Sequence, residues 1–302
     1  MKIAVTGGSG FIGSHLSVFL AQMGHEVISM CRHGSVPVHD GVVPITCDLL
    51  YDSIPQEVCD ADAIIHLAGV SVFGRWTKNY KRSILESRVQ TTSNLLKAIE
   101  KAQKRPSIFI SSSAIGYYGE CGERCVDENV SSGSGFLAYV CREWENAASR
   151  AEALNMRWVS VRTGVVLGSG GGILARLIPL FRWYLGGVVG TGKQWFSWIE
   201  IEDLLRIYHL LLIDPQFCGP VNAVSPTPVR YEQFVSILAH ELGRPAYFHI
   251  PIRLLKMLFG ESSEIFAMSH NVFPKKLLDA NFSFLFSDLS HAVRKHVGLR
   301  FS

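Results

Sequence analysis

One stretch near the amino terminus constrains the fold more than any other. Lys2 to Thr6 is a short apolar, β-branched run, which predicts a buried strand. Gly7-Gly8-Ser9-Gly10-Phe11-Ile12-Gly13 follows, and His15 to Met23 reads as an amphipathic helix closed by Gly24. Strand, glycine turn and helix in that order make a dinucleotide-binding unit. Gly7 turns the chain sharply off the strand. Gly10 lets backbone approach a pyrophosphate, and Gly13 lets the helix pack against the strand. Amides at the helix start then face phosphate, with the positive end of the helix dipole behind them.

The residues after the second strand, His25 to Met30, set cofactor choice. NAD sites place an acid there to hold the ribose 2′-hydroxyl. This chain places Cys31-Arg32-His33, and a guanidinium can grip a 2′-phosphate that a carboxylate would repel. The reading favours NADP(H); the competing one is a solvated surface arginine. Val42 to Cys47 predicts a third strand ended by Asp48-Leu49, where Asp48 either contacts adenine or caps a turn. Ala63 to Ala68 is a continuous apolar run, as suits a central parallel strand. Its carboxyl end puts Leu67, Ala68 and Gly69 in the cofactor crevice. His66 reads as a packed core histidine.

Tyr80 to Ala102 predicts a long helix whose buried face is Ile84, Leu85, Leu95, Leu96 and Ile99. Arg88, one turn from Ile84, either reaches inward toward the cofactor or lies on the surface. Ser107 to Ser111 is the fifth strand and runs into Ser112-Ser113-Ala114-Ile115-Gly116-Tyr117-Tyr118-Gly119. Hydroxyls at that edge sit where a substrate carbonyl or hydroxyl lies. Phe136 to Leu154 reads as a helix, Arg157 to Arg162 as the sixth strand and Val221 to Ala223 as the seventh. Composition shifts after Gly168. Helices are expected over Ile173 to Tyr184, from Glu202-Asp203 through Leu212, and over Tyr231 to Leu242. The expected fold is α/β, a doubly wound parallel sheet of about seven strands with a smaller carboxyl-terminal α+β substrate domain. The expected division is 1–165 and 166–302, with 193–225 returning to the first unit.

Composition bounds the partners. Of the 302 residues 48% are hydrophobic and 18% charged, so a sizeable core is within reach and disorder is not expected. A net charge of +3 gives no basic stripe for nucleic acid. No apolar run approaches the ~20 residues of a membrane span, and the opening strand leaves no room for a secretion signal. Seven scattered cysteines suit free thiols in a reducing, cytoplasmic setting. Cys121 and Cys125 lack the spacing and the second pair of a zinc site, so no metal is expected.

Several motifs together carry a resemblance. They are Thr6 to Gly13, His66-Leu67-Ala68-Gly69, Arg75-Trp76-Thr77, Ser87-Arg88, Ser111 to Gly119, Val140 to Glu145, Arg162 to Gly168, Gly170 to Gly172, Gln194 to Ile199 and Pro274 to Leu278. The chain resembles the extended short-chain dehydrogenases/reductases of the NAD-dependent epimerase/dehydratase group. It is most similar to the atypical subgroup of epimerase family proteins (YfcH-type), nearly end to end. The resemblance implies NADP(H) held by the glycine loop (Phe11 and Ile12 included), Cys31-Arg32, Leu67-Ala68, Arg88 and Val166. It also implies a possible homodimer through the long helices.

The departure from the family pattern is at the chemistry. Working members use Tyr-x-x-x-Lys on the helix after the fifth strand, the lysine lowering the tyrosine pKa. Here Tyr139 is followed four residues on by Glu143; alignment on Glu145 instead puts Leu137 and Cys141 at those places. Either way the dyad is missing. Ser113 and Tyr117 remain as candidate catalytic groups, against a turn serine and a packed tyrosine. Two functions stay open. One is an NADP(H)-dependent, nucleoside-diphosphate-sugar epimerase-like oxidoreductase acting on a small polar substrate. The other is a non-catalytic NADP(H)-binding sensor or partner-binding protein. Trp76, Trp195, Phe196 and Trp198 suggest a ring-lined pocket, or simply core.

Overall fold

Strands alternate apolar side chains between two faces, and each face is covered by helices. The computed structural model describes residues 1–33 and 39–297. Among these, seven strands form one parallel sheet: β1 (Lys2–Thr6), β2 (Glu26–Cys31), β3 (Val42–Thr46), β4 (Ala63–His66), β5 (Ile108–Ala114), β6 (Arg157–Thr163) and β7 (Gly219–Ala223). Their order across the sheet is β7-β6-β5-β4-β1-β2-β3. The order reverses between β1 and β4, which opens a crevice at the carboxyl ends of the strands.

Ile3, Val5, Ile65, Ile108 and Ile110 point to one face and meet α1 (Phe11–Gln22) and α5 (Ile201–Ile213). Ala4, Ile64 and Phe109 point to the other, under α2 (Lys78–Lys101) and α3 (Phe136–Ser149). Burial on both sides explains why these strands read as unbroken apolar runs. A second apolar core joins α4 (Leu174–Arg182), α6 (Tyr231–Leu242) and α7 (Leu289–Val297), with Phe181, Trp198, Phe234 and Val293 at its centre. The two cores meet where the short strand Val165–Leu167 pairs in parallel with Trp198–Glu200. No helix among the described residues is long and apolar enough to cross a membrane.

Several boundaries differ from the sequence expectation, four of them at the site or the second core. The first helix begins at Phe11, not His15, because Gly10 serves as its extended N-cap and Gly13 packs inside the first turn. β4 stops at His66, and Leu67-Ala68 run on as crevice wall. The helix expected to reach Leu154 tightens into a 3-10 turn over Arg150–Leu154, ended by left-handed Asn155. The helix after the triple glycine ends at Arg182, and Tyr184 then takes a positive φ of 60°.

Candidate functional site

The glycine turn is built as its residues require. Gly7 has φ 74°, and a Cβ there would press on the backbone of Leu67 and Ala68 at 3.0 Å. Gly8 N–H donates to Met30 O and Gly10 N–H to Gly7 O, each at 2.9 Å. α1 has no side-chain cap and no acid in its first turn, so its orphan amides and dipole are left for an anion. The Phe11 ring is packed among Gly168, Gly171 and Gly172, and Ile12 packs on the core. What these two residues offer a ligand is backbone.

A cleft of about 270 Å³ runs from this turn across the sheet edge, lined by Gly7, Gly10, Cys31, Arg32, Asp48, Leu49, Leu67, Ala68 and Gly69. Nine of the fourteen cofactor residues named from the sequence thus line one cleft, and Phe11, Ile12, Gly13, Arg88 and Val166 do not. Arg32 Nε lies 4.0 Å from Asp48 Oδ2, and its side chain is 55% exposed, so this pair is loose. Asp48 lines the cleft, and its Oδ1 accepts from Leu50 N–H at 2.9 Å to fix the turn. Arg88 does turn inward. Its Nη1 donates to Val70 O and Ile84 O, each at 3.0 Å, and the guanidinium lies 5.0 Å from the Trp144 ring centroid, below Gly69. It braces the crevice wall from behind. Val166 is likewise placed in the core, paired with Ile199. His66 is wholly buried between Thr6 Oγ1 at 2.7 Å and Thr91 Oγ1 at 3.3 Å, and burial pushes its pKa down to about 3.

α3 shows which of the two candidate residue pairs faces the sheet. Leu137, Cys141 and Glu145 occupy one face, and a Cβ on Gly116 would meet Leu137 Cβ at 3.4 Å and Cys141 Sγ at 3.9 Å. Tyr139 is 42% exposed and stacks on Arg142, which pairs with Glu143 at 3.4 Å. Tyr139 and Glu143 therefore face away from β5, while Leu137 and Cys141 face it. Burial, then Glu145, pushes the Cys141 thiol up to about 11, which leaves it protonated and a poor nucleophile.

Ser113 is buried and donates to Glu145 Oε1 at 2.6 Å. Arg162 clamps the same carboxylate with Nε at 2.9 Å and Nη2 at 2.8 Å. Its Nη1 donates to the Tyr118 hydroxyl at 2.9 Å, which donates on to Asn222 Oδ1 at 2.8 Å. The Tyr117 ring lies over the Arg162 guanidinium, 3.5 Å from centroid to Cζ. With its proton committed to Glu145, Ser113 offers other groups lone pairs alone. Tyr117 is held by its stacking on the cation.

Reading by sequence missed this network. A visible signal existed: an arginine directly after the apolar run Val159-Ser160-Val161 of a central strand demands a buried partner. The aromatic residues divide. Trp198 is enclosed, donating to Thr227 O at 3.1 Å, and Trp76 is buried against Phe136. Trp195 and Phe196 line a small pocket beside the second core.

A doubly wound parallel sheet whose first turn leaves helix amides open beside its switch point defines a Rossmann-type dinucleotide fold. Comparison with known proteins narrows the class. The model of the NAD dependent epimerase/dehydratase family matches residues 3–222, and that of a domain of unknown function (DUF1731) matches residues 250–295. The chain is 33% identical over 301 residues to epimerase family protein YfhF of Bacillus subtilis, covering 99% of each chain. It is 35% identical over 303 residues to the chloroplastic epimerase family protein SDR39U1 homolog of Arabidopsis thaliana, covering 97% of this chain and 86% of that one. Human epimerase family protein SDR39U1 (isoform 2), solved with NADPH, superposes with a TM-score of 0.88 at 30% identity, covering 99% of this chain and all of that one. The chain belongs to the NAD dependent epimerase/dehydratase family, within its epimerase family proteins.

Proposed function

We propose that this chain binds NADP(H) and uses it on a small carbonyl or hydroxyl compound. The observation that carries the reading is the cleft. It joins an uncapped helix amino terminus at one end to Arg32 at the other, with no acid at the residue after β2. The NADPH of the human relative supports it. Gly7 to Gly13 would hold the diphosphate through backbone amides, Arg32 the 2′-phosphate, and Leu67 to Gly69 the face of the ligand along the sheet edge. When bound, the nicotinamide supplies or takes a hydride. The protein's own part is to position the partners and exclude water, because the family's Tyr/Lys proton relay is replaced by Leu137 and Cys141.

Titration of Arg32→Ala with both dinucleotides tests this reading. NADPH affinity is expected to fall at least tenfold, about 1.4 kcal/mol, with NADH affinity nearly unchanged. Equal losses for both would take the 2′-phosphate role away from Arg32. A second reading, a non-catalytic NADP(H)-binding sensor or partner-binding protein, is favoured by the apolar Leu137 where a proton donor is usual. NADPH oxidation by carbonyl substrates that vanishes in Ser113→Ala or Tyr117→Phe protein would rule it out.

A further inference from the structure

Exposed apolar side chains are not spread evenly over this molecule. Ten of the eighteen large ones exposed among the described residues fall in two short stretches, 173–192 and 242–260. Trp183 is 79% exposed, Tyr247 84% and Met257 73%. The other five tryptophans are buried or half-buried. Single exposed apolar residues are ordinary, but a joined set of them marks a surface that something covers.

The fold joins the two stretches. Gly187–Val189 pairs in parallel with Phe248–Ile250, Phe248 standing opposite Gly187. Arg244 Nη1 donates to the Tyr184 hydroxyl at 3.1 Å, and its guanidinium lies 4.9 Å from the centre of that ring. Pro251 then leads directly into a helix, Ile252–Phe259, which starts beside the same ribbon: a Cβ on Gly190 would meet Ile252 Cγ1 at 3.2 Å. Ile252 and Leu255 pack on the second core. Leu254, Met257 and Leu258, three and four residues apart, form a neighbouring stripe that stays in solvent. Arg253 and Lys256 are exposed on the remaining side.

Charge selects the partner. The two stretches hold five Lys and Arg and no Asp or Glu in a chain whose net charge is only +3, so the rest of the molecule is net negative. Among the described residues none of the five, Arg176, Arg182, Arg244, Arg253 and Lys256, forms an ion pair. The acids that border the stretches are spent elsewhere, Glu241 on Arg294 at 2.9 Å and Glu261 on Lys81. A twofold contact between copies sets a patch against itself, and here it would set five cations against five. An anionic, partly apolar surface answers both properties of the face.

We propose that this face docks peripherally on an anionic phospholipid bilayer. The Leu254-Met257-Leu258 stripe and the rings of Trp183 and Tyr247 enter the headgroup layer, and the five cations meet lipid phosphates. Aromatic rings with a polar edge settle at that depth. A helix with an apolar stripe flanked by Lys and Arg lies in the plane of the interface. Each cation near an anionic leaflet strengthens partitioning about fivefold. Docking of this kind needs no helix long enough to cross the membrane, and it is independent of the dinucleotide reading.

Cosedimentation of the full chain with vesicles tests the proposal, using phosphatidylcholine alone and phosphatidylcholine mixed with phosphatidylglycerol. The wild type is expected on the mixed vesicles, at least about tenfold less on phosphatidylcholine alone, and to come off as salt screens the charges. Arg253→Glu/Lys256→Glu and Met257→Ser/Leu258→Ser should each weaken binding at least about tenfold. Lipids brominated in their acyl chains should quench tryptophan fluorescence in the wild type and not in Trp183→Phe. All these side chains are exposed, and unchanged melting temperatures and NADPH titrations check that the fold survives. No binding to the mixed vesicles, equal binding to phosphatidylcholine alone, or full binding by either double variant would overturn the proposal. Self-association without vesicle binding, abolished in Met257→Ser/Leu258→Ser, would give the face to a second copy and overturn it too. Binding to poly-glutamate as tight as to the mixed vesicles and untouched by Met257→Ser/Leu258→Ser would give it to an acidic protein, with the same consequence.

Discussion

Glu145 and Arg162 keep each other's charge out of water, with side chains 8% and 3% exposed. Two buried ions hold each other at little net gain, but either alone is costly. Arg162→Met is therefore expected to destabilise the protein by about 3–5 kcal/mol, because Glu145 loses its counter-charge. Adding Glu145→Gln in the same chain should recover part of that loss. Urea unfolding of both single variants and the double variant measures this coupling, and strictly additive losses would contradict it. Single residues also mark where the sequence was legible. His66 announced itself as core, since it lies within an unbroken apolar run. That Leu137 and not Tyr139 faces β5 was not legible, because spacing alone left both eligible. Only the rotation of α3, set by packing against Gly116, separates them. His270 stood in a segment with no periodic signal, and its partners Trp195 and Ser197 lie over seventy residues away.

At the scale of elements, the glycine turn separates fold from binding. A Cβ on Gly13 would fall inside contact distance of Gly7 O and push α1 off β1. Gly13→Ala should cost about 1–3 kcal/mol of stability as an overpacked site, with binding lost as a consequence. A Cβ on Gly10 meets protein only at Gly7 O, 3.1 Å away, in an ordinary φ of −75°. Gly10→Ala should therefore keep a near-wild-type melting temperature while weakening NADPH at least tenfold. Calorimetry and dinucleotide titration on the two variants distinguish the effects; matching losses of stability would refute the division. The elements of the sheet were readable because parallel strands buried on both faces carry continuous apolar runs, and Tyr231–Leu242 because Gly243 ends it in a left-handed cap. Helix ends were less readable. Phe11 sits in a glycine-rich stretch that looks like loop, and the glycines its ring packs against, at 168, 171 and 172, lie far away in the sequence.

The whole molecule stakes part of its stability on neutral histidines at two separate places, His66 within the sheet and His270 against Trp195 and Ser197 beside the second core. Both have folded pKa values lowered by burial, to about 3 and about 4, from an ordinary 6.5. The unfolded chain therefore takes up protons below pH 6.5 that the folded chain refuses. Stability falls as pH drops through that window, by up to about 1.4 kcal/mol per pH unit for each group, until the folded pKa is reached. Glu128 and Asp203, raised above the usual carboxylate range chiefly by burial, act in the opposite sense near the acid end. Glu200 is lowered because His296 and Lys295 outweigh its burial, so its contribution is lost only at still lower pH. Comparing variants cancels these carboxylates. In urea unfolding at pH 6.5, 6.0, 5.5 and 5.0, the wild type should lose stability more steeply than His270→Gln, and His270→Gln more steeply than His66→Gln/His270→Gln. Each step should reduce the slope by close to one proton's worth, whatever the absolute stability of the variant. Parallel curves for the three proteins would show that the imidazoles titrate alike in the folded and unfolded chain, and that both sites are open to water when the protein is folded.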